Sequence, residues 1–129
     1  MDRMRRFLGL PAALLLLPLL ATASSADVVE WDGTEAVELD VVIAPGEKAA
    51  VCSTLFSQQP VEWSFDSSRP VDFDIRLGQG TSAAYQLRRF KLSNLKGRLD
   101  PSGKQTYCWT WSNRASRTTA INLKLSPRH

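Results

Sequence analysis

The sequence predicts an all-β fold: a two-sheet antiparallel β-sandwich, jelly-roll-like, with about seven or eight strands. Three observations carry this reading. Apolar and polar residues alternate in short runs, most clearly in Val61-Glu62-Trp63-Ser64-Phe65 and Tyr107-Cys108-Trp109-Thr110-Trp111-Ser112. Period-two alternation is the mark of a strand with one buried face. Clusters of Pro, Gly, Ser and Asn separate these runs at regular intervals, as in sandwiches. No run has a convincing helical period, and the chain holds no internal repeat or low-complexity segment.

The first residues read as an address. Arg3, Arg5 and Arg6 precede an apolar run from Phe7 to Ala21, and small residues follow through Ala26. This is the pattern of a secretory signal peptide, with cleavage expected after Ala26 and Ala23 as the alternative. The apolar run is shorter than the roughly 20 residues that span a bilayer. No later run could span one either, so no membrane span is expected. Residues 27–129 then form a single domain. A chain of this length buries roughly two-thirds of its unfolded surface, so a core needs no metal.

Asp27 to Thr34 reads as a lead-in strand or a loose arm. Ala36 to Ile43 places Val37, Leu39, Val41 and Ile43 on one face and Glu38 and Asp40 on the other. Pro45-Gly46 is a turn signal. Lys48 to Leu55 is the second strand and carries Cys52. Gln58-Gln59-Pro60 ends it. Val61 to Phe65 is the third strand, Asp66 to Pro70 a turn, and Val71 to Leu77 the fourth strand. Gly78-Gln79-Gly80 closes it. Ala84 to Leu92 is a fifth strand whose charges predict a sheet edge, where they discourage association. Asn94 to Lys104 reads as a polar connection, with Pro101-Ser102-Gly103 as a turn. Tyr107 to Ser112 is the sixth strand. Thr118 to Leu125 is the seventh, with Ile121, Leu123 and Leu125 facing inward.

Charge is segregated along the chain. From Asp27 to Asp74 there are 11 acids and 2 bases, a net of −9; from Ile75 onward there are 11 bases and 1 acid, a net of +10. Cross-strand pairing of early acidic with late basic strands would neutralise this, at roughly 0.2–1 kcal/mol per pair. A surviving basic patch would instead attract acidic partners or anionic lipid head groups. Its expected members are Arg88, Arg89 and Lys91, with Lys96 and Arg98.

The two cysteines, Cys52 and Cys108, allow one pairing. Export favours a disulfide over two free thiols. Such a bond is expected to clasp the two layers together.

Catalytic chemistry finds little support. The sole histidine is His129, at the terminus, a poor place to orient an imidazole. Two cysteines and one histidine do not make a zinc site. Asp66, Asp72 and Asp74 match no calcium loop and fit a solvated strand face. No cofactor, no metal, no nucleic acid and no enzymatic activity are expected.

The tryptophans admit two placements. Trp63, Trp109 and Trp111 occupy alternating strand positions, so core packing is the default. If Cys108 points inward, however, Trp109 and Trp111 point outward and form a sugar- or peptide-binding platform; if the tryptophans are core, the disulfide lies on the outer face or near a strand end. Trp31, outside the strong strands, is the expected exposed aromatic.

Three blocks together resemble the GOLD (Golgi-dynamics) domain family. They are Ile43-Ala44-Pro45-Gly46-Glu47, then Val61 to Phe65 with Val71 to Ile75, and finally Tyr107 to Asn113. Tyr107, Trp111 and Asn113 fit that family's closing Tyr-x-x-x-(Phe/Trp)-x-Asn strand. Cys52 and Cys108 stand where its small cargo receptors carry a disulfide. The resemblance implies a stand-alone sandwich used for protein–protein, and lipid-associated, interactions in the secretory pathway. It does not extend to the coiled coil and membrane span of the cargo receptors. The expected function is that of an exported, non-catalytic interaction module for a protein partner, in a secreted, periplasmic or lumenal setting. The alternative is a module for carbohydrate or lipid head groups.

Overall fold

A computed structural model describes residues 26–78 and 84–128. The predicted signal peptide, apart from Ala26, lies outside them, as do Gln79 and Gly80 of the predicted turn and His129. Seven strands occur among the described residues: β1 (Ala26–Glu30), β2 (Val37–Ile43), β3 (Lys48–Leu55), β4 (Val61–Leu77), β5 (Ala84–Leu99), β6 (Gln105–Ser112) and β7 (Thr119–Pro127). They form one hydrogen-bonded sheet in the order β1-β3-β6-β4-β7-β2, with β5 also paired to β4.

The sheet becomes a sandwich because β4 serves two layers. Its first part, Val61 to Ser67, pairs with β7, while Asp72 to Leu77 pairs with β6. β5 follows β4 through both parts. One layer is therefore β1-β3-β6 with the later part of β4, and the other is β2-β7 with the earlier part. Phe65 on the second layer packs 4.7 Å from Phe73 and edge-on to Trp111 at 5.8 Å, ring centroid to ring centroid. Those contacts place the core between the layers.

Residues Asp66 to Pro70, expected as a turn, are a bend inside β4. Its pairing with β5 breaks between Asp66 and Val71 and then resumes. Proline has no N–H to donate to a ladder, so a strand containing one bulges there. Asn94 to Lys104, expected as a connection, continues β5 as an edge strand as far as Leu99; only Asp100 to Lys104, with the turn at Pro101-Ser102-Gly103, remains outside strands. The pairing is antiparallel except for β1, which runs parallel to β3.

The lead-in is not a loose arm. The Trp31 N–H donates to the carbonyl of Cys52 at 2.9 Å, and its indole N–H donates to the carbonyl of Glu35 at 2.9 Å. Its ring meets Trp109 edge-on at 6.4 Å. Gly33, with φ of +80°, makes the turn that permits this; a Cβ there would lie 2.9 Å from Leu55 Cδ2.

Asn113, the last member of the aromatic block, ties two loops together. Its Nδ2 donates to the carbonyls of Ile43 at 2.9 Å and Arg117 at 2.8 Å, and its Oδ1 accepts from the Ala115 N–H at 3.0 Å. A buried amide so fully engaged fixes where β2 ends and β7 begins.

Candidate functional site

Cys52 and Cys108 form a disulfide, but it does not clasp the two layers. The cysteines stand directly opposite each other on the neighbouring strands β3 and β6, with Cα atoms 4.1 Å apart. Alternation decides the rest. Tyr107, Trp109 and Trp111 face the core, so Cys108 must face away from it. The bond lies on the outer face, flanked in register by Glu30 and Arg76.

The platform of outward tryptophans is accordingly absent. Trp109 and Trp111 are 0% exposed and Trp31 is 6% exposed. The hydrophobic face of a strand of this type goes to the interior, where each ring removes the largest apolar area from water. No sugar can stack on these three rings in this fold.

The basic residues are exposed as expected, at the edge strand β5, but the fold divides them. Arg88 and Arg89 lie on the part of β5 that pairs with Asp74 and Phe73; Lys96 and Arg98 lie opposite Ser64 and Glu62, beyond the bend. Lys91 sits between the two groups with φ of +54°. It and Phe90 together oppose Asp72, whose Oδ1 accepts the Lys91 N–H at 3.1 Å. This is a β-bulge with a non-glycine residue in the left-handed region, held by a carboxylate.

A second bulge builds the more structured surface. Ile75 opposes Leu87, but Arg76 opposes Tyr85, so Gln86 is an extra residue in β5. One inserted residue reverses the facing of everything before it. Tyr85 therefore turns out beside Arg88 rather than inward with Leu87. The Arg88 guanidinium carbon lies 4.4 Å from the Tyr85 ring centroid and 5.2 Å from that of Phe90, and Arg76 lies 5.4 Å from Tyr85. Tyr85 is 48% and Phe90 60% exposed. Sequence reasoning missed Tyr85, because strict alternation puts it on the core side of the strand.

Two carboxylates anchor this surface. Asp72 pairs with Arg114. Asp74 is almost buried and accepts from Arg76 Nε at 3.0 Å. Burial pushes the Asp74 carboxyl above the usual carboxylate range, against the opposing pull of Arg76, Arg88 and Lys48. A shallow cleft of about 80 Å³ lies among these residues. The raised folded-state value means that the native protein binds this proton more tightly than the unfolded chain does. Its contribution to stability thus grows as pH falls through the folded value and is lost as pH rises. Asp74→Asn removes that gain. Wild type is expected to become more stable relative to the variant between neutral pH and about pH 4, as read by denaturant unfolding at each pH. A difference that stays flat or reverses contradicts the assignment.

Cross-strand neutralisation accounts for part of the charge segregation. Glu62 opposes Arg98, Asp74 opposes Arg88, and Glu38 opposes Lys124. Among the described residues, no three His, Cys, Asp or Glu side chains are grouped to hold a metal ion, and no helix is long and apolar enough to cross a membrane.

No family model matches the chain, and no curated protein matches it. Solved structures do. The chain is similar to PliG of Aeromonas hydrophila, a periplasmic inhibitor of g-type lysozyme, at 15% identity and a TM-score of 0.61, over 80% of this chain and 97% of that one. It is similar to the pre-peptidase C-terminal domain of a Bacillus anthracis collagenase at 6% identity and a TM-score of 0.58, over 83% of this chain and all of that one. A CBM4 structure aligns at 12% identity and a TM-score of 0.50, over 70% of this chain and 71% of that one. At these identities the likeness is one of fold, and it places the chain among β-sandwich proteins.

Proposed function

We propose that this chain is an exported, non-catalytic binding module that engages a protein partner through the Tyr85–Arg88–Phe90 surface of β5. The observation that carries this is the stacking of one arginine between two half-exposed aromatic rings on an edge strand. Arg and aromatic side chains that are already ordered lose little freedom on binding and dominate interface energetics. Their surplus of positive charge selects a partner with an acidic face. The basic, apolar start of the chain and the disulfide support export to a periplasmic, lumenal or extracellular setting. The lysozyme-inhibiting PliG shares the fold, which supports a protein-binding role. The GOLD family resemblance belongs to the same proposal and rests on its motif residues, among which Asn113 has a clear structural task.

The test is capture of partners from the exported fraction of the native host on immobilised protein, followed by affinity measurement for the captured species. Tyr85→Ala with Phe90→Ala, and separately Arg88→Glu, are expected to weaken binding at least 10-fold, given hot-spot losses of about 2 kcal/mol or more. The same charge reversal at Lys104, in the turn between β5 and β6, should leave it unchanged. A partner that binds all variants alike would refute this surface.

A further inference from the structure

The far end of β5 carries a second, independent site. We propose that Lys96, Ser64 and Lys124 bind the oxyanion of an acidic sugar, a carboxylate or sulfate on a polyhydroxylated ligand. The three residues stand in one cross-strand row: Lys96 on β5 opposes Ser64 on β4, which opposes Lys124 on β7. Strand spacing of about 4.8 Å puts the two lysine backbones roughly 10 Å apart with a serine between them. Lysine side chains at that spacing are long enough to reach one anion from either side of the hydroxyl.

The neighbouring row differs in charge balance. Arg98 is paired with Asp100 at 3.0 Å, and Glu62 is paired with Arg128 at 2.6 Å. Neither Lys96 nor Lys124 has a carboxylate within ion-pair distance among the described residues. Glu38 stands opposite Lys124 on β2, but its Oε2 accepts from Asn122 Nδ2 at 2.9 Å and forms no ion pair with that lysine, so neither ammonium over Ser64 is tied to a carboxylate.

The row borders a concavity of about 630 Å³, lined by Glu62, Trp63, Ser64, Lys96, Gly97, Arg98, Lys124 and Ser126. That volume falls within the range of roughly 300–1,000 Å³ typical of small-ligand sites. Its make-up goes beyond anion binding. Ser64 and Ser126 supply hydroxyls, Glu62 supplies an acceptor, and the stems of Lys96, Arg98 and Lys124 supply apolar walls. Beneath the cleft, on the core side of the sheet, the indole of Trp63 lies 5.4 Å from the Phe73 ring and closes against Gly97, where a Cβ would lie only 2.7 Å from its Cζ2. Hydroxyls set between apolar stems suit a ring bearing hydroxyls, and the two ammonium groups select an acidic one.

This site shares no residue with the Tyr85–Arg88–Phe90 surface, so each stands or falls alone. The full chain is titrated calorimetrically with oligogalacturonate, with neutral maltohexaose, with sodium sulfate, and with vesicles of phosphatidylserine in phosphatidylcholine. Saturable binding of oligogalacturonate, weakened at least 10-fold by Lys96→Ala with Lys124→Ala and absent for maltohexaose, supports the proposal. Ser64→Ala should weaken it less, and Arg88→Glu with Arg89→Glu should not weaken it. Four results overturn the proposal: no binding of oligogalacturonate, equal binding by the double-lysine variant, equal loss in the Arg88 and Arg89 variant, or binding to vesicles or sulfate alone. Unfolding curves of both lysine variants superimposing on wild type show that a loss belongs to the site, since both positions are outward-facing.

Discussion

Trp111→Ala is expected to destabilise the protein by about 4 kcal/mol, the middle of the roughly 3–5 kcal/mol range for emptying a core aromatic site. The ring is 0% exposed and lies 5.6 Å from Phe73 in its own layer and 5.8 Å from Phe65 in the facing layer. Removing it therefore opens a cavity at the point where the layers meet, on the rigid centre of the sheet, where collapse is hardest. Its Nε1 has no acceptor among the described residues, so no hydrogen bond is lost with it. Trp111→Phe should accordingly cost much less than the alanine variant, because a ring can still touch both phenylalanines. Guanidinium unfolding followed by far-UV circular dichroism measures both. A loss below about 1 kcal/mol for Trp111→Ala would show that the ring does not bridge the layers.

Much of the fold is legible in the residues, and what is not has physical causes. The alternation of Tyr107, Trp109 and Trp111 marks a strand, yet the facing of Cys108 depends on it and on nothing nearer. Once the rings take the core, the disulfide has only the outer face left. Pro70 and the serines before it carry the same signal in a turn and in a strand bulge, since both release the backbone from its ladder. The sequence there cannot separate a hairpin from one strand bent between two layers. Asn94 to Leu99 looks like a connection because an exposed edge strand needs few apolar residues. For the sites, exposure of Arg88, Arg89, Lys91 and Arg98 followed from charge. Their division into two groups did not, because it arises from the bend, which also brings Lys124 and Ser64 to Lys96. Tyr85 was hidden by one extra residue, Gln86, that breaks alternation at a register only the partner strand defines.

Cys52→Ala with Cys108→Ala is expected to lower stability by about 4 kcal/mol, and the melting temperature by roughly 15–30 °C at about 4–8 °C per kcal/mol for a domain of this size. The bond closes a loop with a sequence separation of 56 residues. In the chain-entropy account, its effect is to shrink the unfolded ensemble rather than to hold the native layers together. The native arrangement supports that division of labour. β3 and β6 pair in register from Lys48–Ser112 to Leu55–Gln105, and the adjacent cross-strand pair Val51 and Trp109 fills the core without help from sulfur. Alanines at the two cysteine positions would therefore leave the sheet and its core in place. The variant should show the native circular dichroism spectrum at 20 °C and a lower midpoint on heating. Wild-type protein reduced with dithiothreitol should melt with it. A variant that loses its native spectrum outright would mean that the outer-face bond sets the register of β3 on β6. Equal melting of oxidised protein and variant would mean that the unfolded chain gains no freedom when the bond is removed.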